Sequence, residues 1–393
     1  MGGKPTHYLG KDQQELNEGT HTMEIRHAAG SLMVVGLGGT ELTGLERAWL
    51  RVVRPAGIIL FRRNIDSASQ TRALLEQSTP LCALPALRCV DLEGGTVDRL
   101  RNTLAAMPSA QAVAQAARIV NKPALAHEHG QLIARAVKAF GFNTTLAPVL
   151  DLGLAISAPV MGSRVAGETP AEVIAYSRPF LAALAEAGVA GCGKHFPGLG
   201  GGTLDSHLAT PSINRSAAQL WREDILPYRE LARELPMVMI SHAAFPQTPS
   251  KVSPASISRY WIETVLRKRI GYKGLVFSDD LEMGGILNFL PIEEAAIAAI
   301  RAGMDLIEIC HSPELILRAY EALVREAESS RAFRTLLVAR ASRTSKLRTR
   351  LFPARPAAAL SATQLDGLRT RIERFSQKIE KVHPANQKET RPA

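Results

Sequence analysis

No uninterrupted run of roughly 18 apolar residues occurs anywhere in the 393-residue chain, which excludes an ordinary membrane-spanning helix. The first twenty residues, MGGKPTHYLGKDQQELNEGT, are polar and lack the apolar core of a secretory signal, so cytoplasmic residence is the expectation. Cysteine is scarce. Cys82, Cys89, Cys192 and Cys310 show no CxxC spacing and sit in or beside apolar runs, which predicts buried free thiols rather than disulfides or a metal site. Aromatic residues make up only 5% of the chain while aliphatic residues are abundant, which suits buried parallel strands. The net charge of +10 suggests a nucleic-acid partner until it is located. Residues 331–393 carry 15 Lys+Arg against 4 Asp+Glu, and residues 1–330 carry 32 against 33. The body is therefore nearly neutral and the basicity is expected to belong to a solvated C-terminal tail, with neither nucleic acid nor membrane as partner.

What the chain does have is a repeating alternation. Apolar, strand-like runs at 31–37, 57–61, 87–91, 144–151, 189–193, 237–241, 274–278 and 305–309 are each followed by a helix-like stretch. In TPAEVIAYSRPFLAALAEAG, Thr169-Pro170 supply a cap and first turn, apolar residues recur at helical spacing, and Gly188 ends the pattern. Eight such units predict an α/β fold, a (β/α)8 TIM-type barrel forming a single domain. An open doubly wound sheet with the same count is the alternative. The expected boundaries are a polar extension over 1–24, the barrel over 25–350 and a basic tail over 351–393.

Titratable residues accumulate where these runs end: Asp91, Asp151, Lys194-His195, His242, Asp279-Asp280 and His311. That is the end at which a barrel builds its active site. In GYKGLVFSDDLEMGG, alternation aims Asp279 and Asp280 differently, so that one faces the pocket while the other anchors the loop. A fixed carboxylate in a sugar-sized pocket points to a glycosidase nucleophile, which needs a second group as acid/base. The segment KHFPGLGGGTLDSHLATP supplies a candidate. His207 transfers a proton near neutral pH, Asp205 orients its ring, and Gly200-Gly201-Gly202 allow the pair to swing. Lys194 and His195 would bind hydroxyls. A loose surface turn is the alternative for the glycines, and a helix cap for the Ser-Asp-Asp.

The ordered set TELTGLERAWL, GIILFRRNI, VDLEGGTVDRL, LAPVLDLG, KHFPG…DSH, MISHAAFP, PASIS and GLVFSDDLEM followed by AGMDLI resembles glycoside hydrolase family 3 over roughly residues 30–345. More narrowly, it resembles the single-domain bacterial β-N-acetylhexosaminidases that recycle cell-wall muropeptides. The resemblance implies Asp279 as the nucleophile of a glycosyl-enzyme intermediate and His207, oriented by Asp205, as acid/base. It implies Asp91, Arg99, Arg164, Lys194 and His195 as contacts to a terminal N-acetylglucosamine, a small carbohydrate substrate, and no metal or organic cofactor. Retaining double displacement is the mechanism that follows.

The chain departs from that pattern at Leu199, at Gly201-Gly202, in GSRVAG over 162–167, and at Glu282. Loop anchoring and sugar specificity are the properties these changes bear on. Different sugar preference, phosphorolysis in place of hydrolysis, and sugar binding without catalysis are therefore the alternatives. His127-Glu128-His129 lacks the spacing of a zinc motif and reads as a surface or core-edge element. VVGLGGTEL lacks the GxGxxG register of a dinucleotide loop. His242 and His311 read as supports of the site, and Arg62-Arg63 as a loop salt-bridge pair.

Overall fold

The computed structural model describes residues 23–202, 210–352 and 358–382. Eight parallel strands close into a barrel in the order β1 (Met33–Gly36), β2 (Gly57–Leu60), β3 (Leu87–Val90), β6 (Thr144–Thr145), β7 (Ala190–Phe196), β8 (Met237–Ile240), β9 (Leu275–Asp280) and β10 (Leu306–Ile309). All eight coincide with the apolar runs read from the sequence, and the closed order settles barrel against open sheet. Two short strands, β4 (Leu92–Gly94) and β5 (Val97–Asp98), form an antiparallel hairpin on the loop after β3 that the sequence pattern did not reveal.

Strand ends differ from the expectation in ways that matter for the site. β7 runs on through Lys194 and His195, and β9 through Asp279 and Asp280, so these four residues are held by strand backbone rather than by loops. The run at 144–151 is shorter than expected as a strand. Pro148 has no N–H to give a ladder, and pairing beyond Thr145 resumes only as an isolated bridge between Val149 and Lys194.

Alternation along the strands builds two apolar layers. Inside the barrel lie Val34, Ile59, Leu87, Cys89, Leu146, Cys192, Met237, Met239, Phe277, Leu306 and Cys310. The opposite faces pack on the surrounding helices, as with Val35, Ile58, Val90, Val238 and Ile307. All four cysteines are buried and unpaired, as expected. The helix Pro170–Glu186 begins on Thr169, whose side chain accepts from Glu172 N–H while the Glu172 carboxylate caps in return; Gly188 follows in the left-handed region at φ +68°.

Part of the C-terminal basicity proves to be structural. From the helix Arg331–Leu351, Arg340 and Arg343 reach the buried carboxylate of Asp305, at 3.7 and 3.3 Å. Arg348 is buried beneath the barrel and donates from Nη1 to the carbonyls of Ala56, Ala83 and Pro85. Within the expected tail, Ala362–Val382 forms a helix that buries Leu368, Ile372, Phe375 and Ile379 against the body. Among the described residues, no helix is long and apolar enough to cross a membrane.

Candidate active site

At the carboxyl end of the barrel a cavity of about 410 Å3 opens, within the range of roughly 300–1,000 Å3 usual for small-molecule sites. Asp91, Arg99, Arg164, Lys194, His195 and Asp279 all line it. Asp205 and His207 lie outside the described residues. The chain on either side of them, at Gly202 and at Pro211, lines the same cavity.

Charge in the cavity is organised around Lys194. Its ammonium lies 3.0 Å from Asp91 Oδ1 and 2.6 Å from Glu93 Oε1; the Lys194 and Glu93 side chains are nearly excluded from solvent, and that of Asp91 is partly buried. Arg99 adds a contact of 3.3 Å to the second Asp91 oxygen. Arg164 grips Glu93 with two parallel bonds of 2.9 Å from Nε and Nη2. Burial alone would raise the Asp91 and Glu93 carboxyls. The cations beside them outweigh it and hold both well below the usual carboxylate range. For Lys194, burial pulls downward, but the two carboxylates prevail and keep the ammonium charged. The result is a rigid, fully ionised lattice of donors and acceptors, suited to gripping a polyhydroxylated ligand.

His195 is fixed from behind. The Asp151 carboxylate accepts from His195 Nδ1 at 2.7 Å and from the His195 and Leu199 backbone N–H groups, so Nε2 is turned toward Arg164 at 3.4 Å. Leu199, one of the departures noted from the sequence, is buried. Its side chain joins the core, while its backbone helps hold Asp151. The following glycines are not a loose surface turn. A Cβ on Gly200 would lie 2.5 Å from the Leu152 carbonyl oxygen, and one on Gly202 would lie 2.9 Å from Ile213. Close packing explains their lack of side chains.

Asp279 and Asp280 both line the cavity, so the expected division into one pocket residue and one loop anchor holds only for the anchoring half. Asp280 Oδ1 accepts from the Glu282 N–H at 3.0 Å, and its carbonyl receives His242 Nε2 at 2.9 Å. Burial pushes the Asp280 carboxyl up to about 7. Glu282 has a clear task. Its carboxylate accepts the backbone N–H groups of Cys310 (2.9 Å), His311 and Ser312 (2.7 Å), which fixes the turn between β10 and the helix Pro313–Ser329.

His242 is buried between Ser256 and the Asp280 carbonyl and supports β9 from outside the cavity, whereas His311 stands on its rim. Arg63 binds the carbonyls of Leu37 and Cys310 and His311 Nδ1, and Arg62 binds the carbonyl of Asp98; carbonyl ties replace the expected salt-bridge pair. The three side chains of His127-Glu128-His129 go to separate partners, Glu186, Lys378 and Tyr176. Among the described residues that line the cavity, two acidic ones went unread in the sequence, Glu93 and Glu308. The first had a signal: Asp91 and Glu93 are two apart in an extended segment and so share a face.

Sequence comparison matches residues 25–346 to the glycosyl hydrolase family 3 N terminal domain. A β-hexosaminidase of Alkalilimnicola ehrlichii is 39% identical over 287 residues, covering 72% of this chain and 82% of its own. One of Xanthomonas oryzae pv. oryzae is 36% identical over 295 residues, covering 74% and 87%. Among solved structures, a family 3 β-N-acetylglucosaminidase from Paenibacillus superposes with a TM-score of 0.78 at 31% identity, over 89% of this chain and 68% of that one. Native NagZ from Neisseria gonorrhoeae gives 0.67 at 29% identity, over 81% and 98%. With the family match spanning most of the sequence and the barrel closed around its charged mouth, this chain belongs to glycosyl hydrolase family 3.

Proposed function

We propose that the protein is a retaining exo-β-N-acetylglucosaminidase that removes terminal N-acetylglucosamine from peptidoglycan-derived muropeptides. The observation that carries this reading is the convergence of Asp279 with the Asp91–Lys194–Glu93–Arg164 lattice and His195 in one cavity. The lattice offers fixed, charge-assisted partners for sugar hydroxyls, and Asp279 projects from a barrel strand beside them. The names of the relatives support the sugar class, and a Neisseria gonorrhoeae NagZ structure holds N-trifluoroacetyl-D-glucosamine.

In this reading the Asp279 carboxylate attacks the anomeric carbon while His207 gives its proton to the departing glycosidic oxygen. Water then attacks the glycosyl ester, His207 takes the proton back, and Asp279 is released. Asp205 orients the imidazole. Supporting this assignment, Gly202 and Pro211, which flank Asp205 and His207 in the sequence, both line the cavity. Asp91, Arg99, Arg164, Lys194 and His195 hold the sugar and tighten on it as positive charge develops at the anomeric carbon. We assign the protein to the cytoplasm, where four cysteines that form no disulfide are at home.

Trapping with a 2-acetamido fluorosugar followed by peptide mapping tests the assignment. Label is expected on Asp279, and label on any other residue overturns it. Assays of aryl β-N-acetylglucosaminide against aryl β-glucoside, with and without phosphate, separate the hexosaminidase from a β-glucosidase or a phosphorylase.

A further inference from the structure

Glu308 has no part in the chemistry above, yet it occupies the floor of the cavity. It lies on β10 between Leu306 and Cys310, both in the apolar interior of the barrel, and strand alternation turns it inward with them. Its neighbours Ile307 and Ile309 face the outer helices instead. The residue is 2% exposed and its carboxyl reaches the cavity wall together with Asp279. Oε1 has no hydrogen-bond partner among the described residues.

Nothing about the packing calls for a carboxyl at this position. Met237 and Met239 fill the corresponding interior of β8 with apolar atoms. A buried, unsatisfied polar group is costly and is retained where something else satisfies it. Among the described cavity residues, the nearby ammonium of Lys194 is already committed to Asp91 and Glu93. Burial, and after it the neighbouring carboxyl groups of Asp280, Asp91 and Asp279, push the Glu308 carboxyl well above the usual carboxylate range, and Lys194 only partly offsets them. A protonated carboxyl at this position can donate through its hydroxyl and accept through its carbonyl oxygen.

We propose that Glu308 contacts the substrate directly, donating a hydrogen bond to a sugar oxygen on the face of the ring that looks down the barrel axis. The proposal rests on the hexosaminidase reading for the identity of the sugar. It makes Glu308 a specificity-determining residue of the glycone site, lining the same cavity as the gripping lattice and Asp279. An apolar replacement leaves that sugar oxygen facing hydrocarbon, whereas an amide still donates.

The test compares Glu308→Leu and Glu308→Gln with the wild type, measuring kcat/KM on an aryl β-N-acetylglucosaminide and the dissociation constant of N-acetylglucosamine by calorimetry. Glu308→Leu is expected to lower kcat/KM by about tenfold or more and to weaken sugar binding to a similar degree, while Glu308→Gln recovers both to within about threefold. The leucine variant is expected to melt at or above the wild-type temperature, because it removes a desolvated carboxyl. Unchanged kinetics and binding in Glu308→Leu would overturn the proposal, as would a glutamine variant as impaired as the leucine one, or a leucine variant that cannot fold. A wild type inert toward the glycoside would sink the assigned activity instead, and the calorimetric comparison would still decide the role of Glu308.

Discussion

Lys194 Nζ stands 2.6 Å from Glu93 Oε1, a contact between two side chains that are each less than 5% exposed. A buried pair of this kind gains little over an apolar pair when intact, but breaking it strands a charge at a cost of about 3–5 kcal/mol. Here one ammonium serves two carboxylates, and without it Asp91 keeps only its contact to Arg99 and Glu93 only its pair of bonds to Arg164. Lys194→Met is therefore expected to destabilise the fold by about 3 kcal/mol, the lower end of that range, because each carboxylate retains one cation. It should also cost sugar affinity. Thermal melts give the first quantity and titration with N-acetylglucosamine the second.

The same lattice sets an acid limb. Asp91 and Glu93 have folded pKa values held below their unfolded ones, so the native state binds fewer protons than the unfolded chain in the intervening range. Their stabilisation is fully present above the unfolded carboxylate pKa and is lost as pH falls through the folded values. In Lys194→Met the folded values rise, and acid unfolding should begin at higher pH than in the wild type. An unchanged acid midpoint by circular dichroism would show that the lattice does not govern this limb.

Asp280 works in the opposite direction. Burial raises its carboxyl to about 7, so between the unfolded carboxylate pKa and 7 the native state holds a proton that the unfolded state has released. Its contribution therefore weakens stability as pH rises through that window and levels off above it. Asp280→Asn keeps an acceptor for the Glu282 N–H and removes the titration. The variant should show a flatter melting temperature between pH 4.5 and pH 7, measured against the wild type in the same buffers, a window of roughly the span between the two values.

Most of the barrel was legible in the sequence because parallel strands buried on both faces read as continuous apolar runs, and a titratable residue at the end of such a run is conspicuous. That logic found Asp91, Lys194, His195 and Asp279 without any partner being known. It overextended the run at 144–151, where Pro148 interrupts the ladder while hydropathy continues unbroken. It also passed over Glu308, whose carboxyl sits inside an apolar run, in DLIEI, where a simple hydropathy reading treats one polar residue as noise. Basic residues misled for a different reason. Composition cannot tell an exposed arginine from Arg348, whose guanidinium is satisfied by buried carbonyls brought together only by tertiary folding.

Removing the two proposed catalytic groups should have unequal consequences. Asp279→Asn takes away the nucleophile and is expected to reduce turnover below detection for every aglycone. His207→Ala removes a proton donor, whose worth is about 10^2–10^4-fold, and only where the leaving group needs one. A dinitrophenyl glycoside should therefore be spared most of that loss, and a methylumbelliferyl one should not. Equal losses across leaving groups would argue against His207 as the acid.

The C-terminal helix connects stability to the site. Phe375 stacks on His129 with ring centroids 6.0 Å apart, and Arg369 on the same helix donates to the carbonyls of Leu104 and Thr103. Those carbonyls belong to the segment that follows Arg99, which in turn touches Asp91. Phe375→Ala opens a cavity against a buried, neutral histidine and is expected to cost about 3–5 kcal/mol. Because the helix loses its anchor, Arg369 should also loosen its hold on the segment behind Arg99, raising KM more than it lowers kcat. Arg369→Ala, which deletes only the carbonyl ties, separates the two effects. It should leave the melting temperature within a few degrees of the wild type while reproducing the rise in KM, and a KM unchanged in both variants would confine the helix to a role in stability.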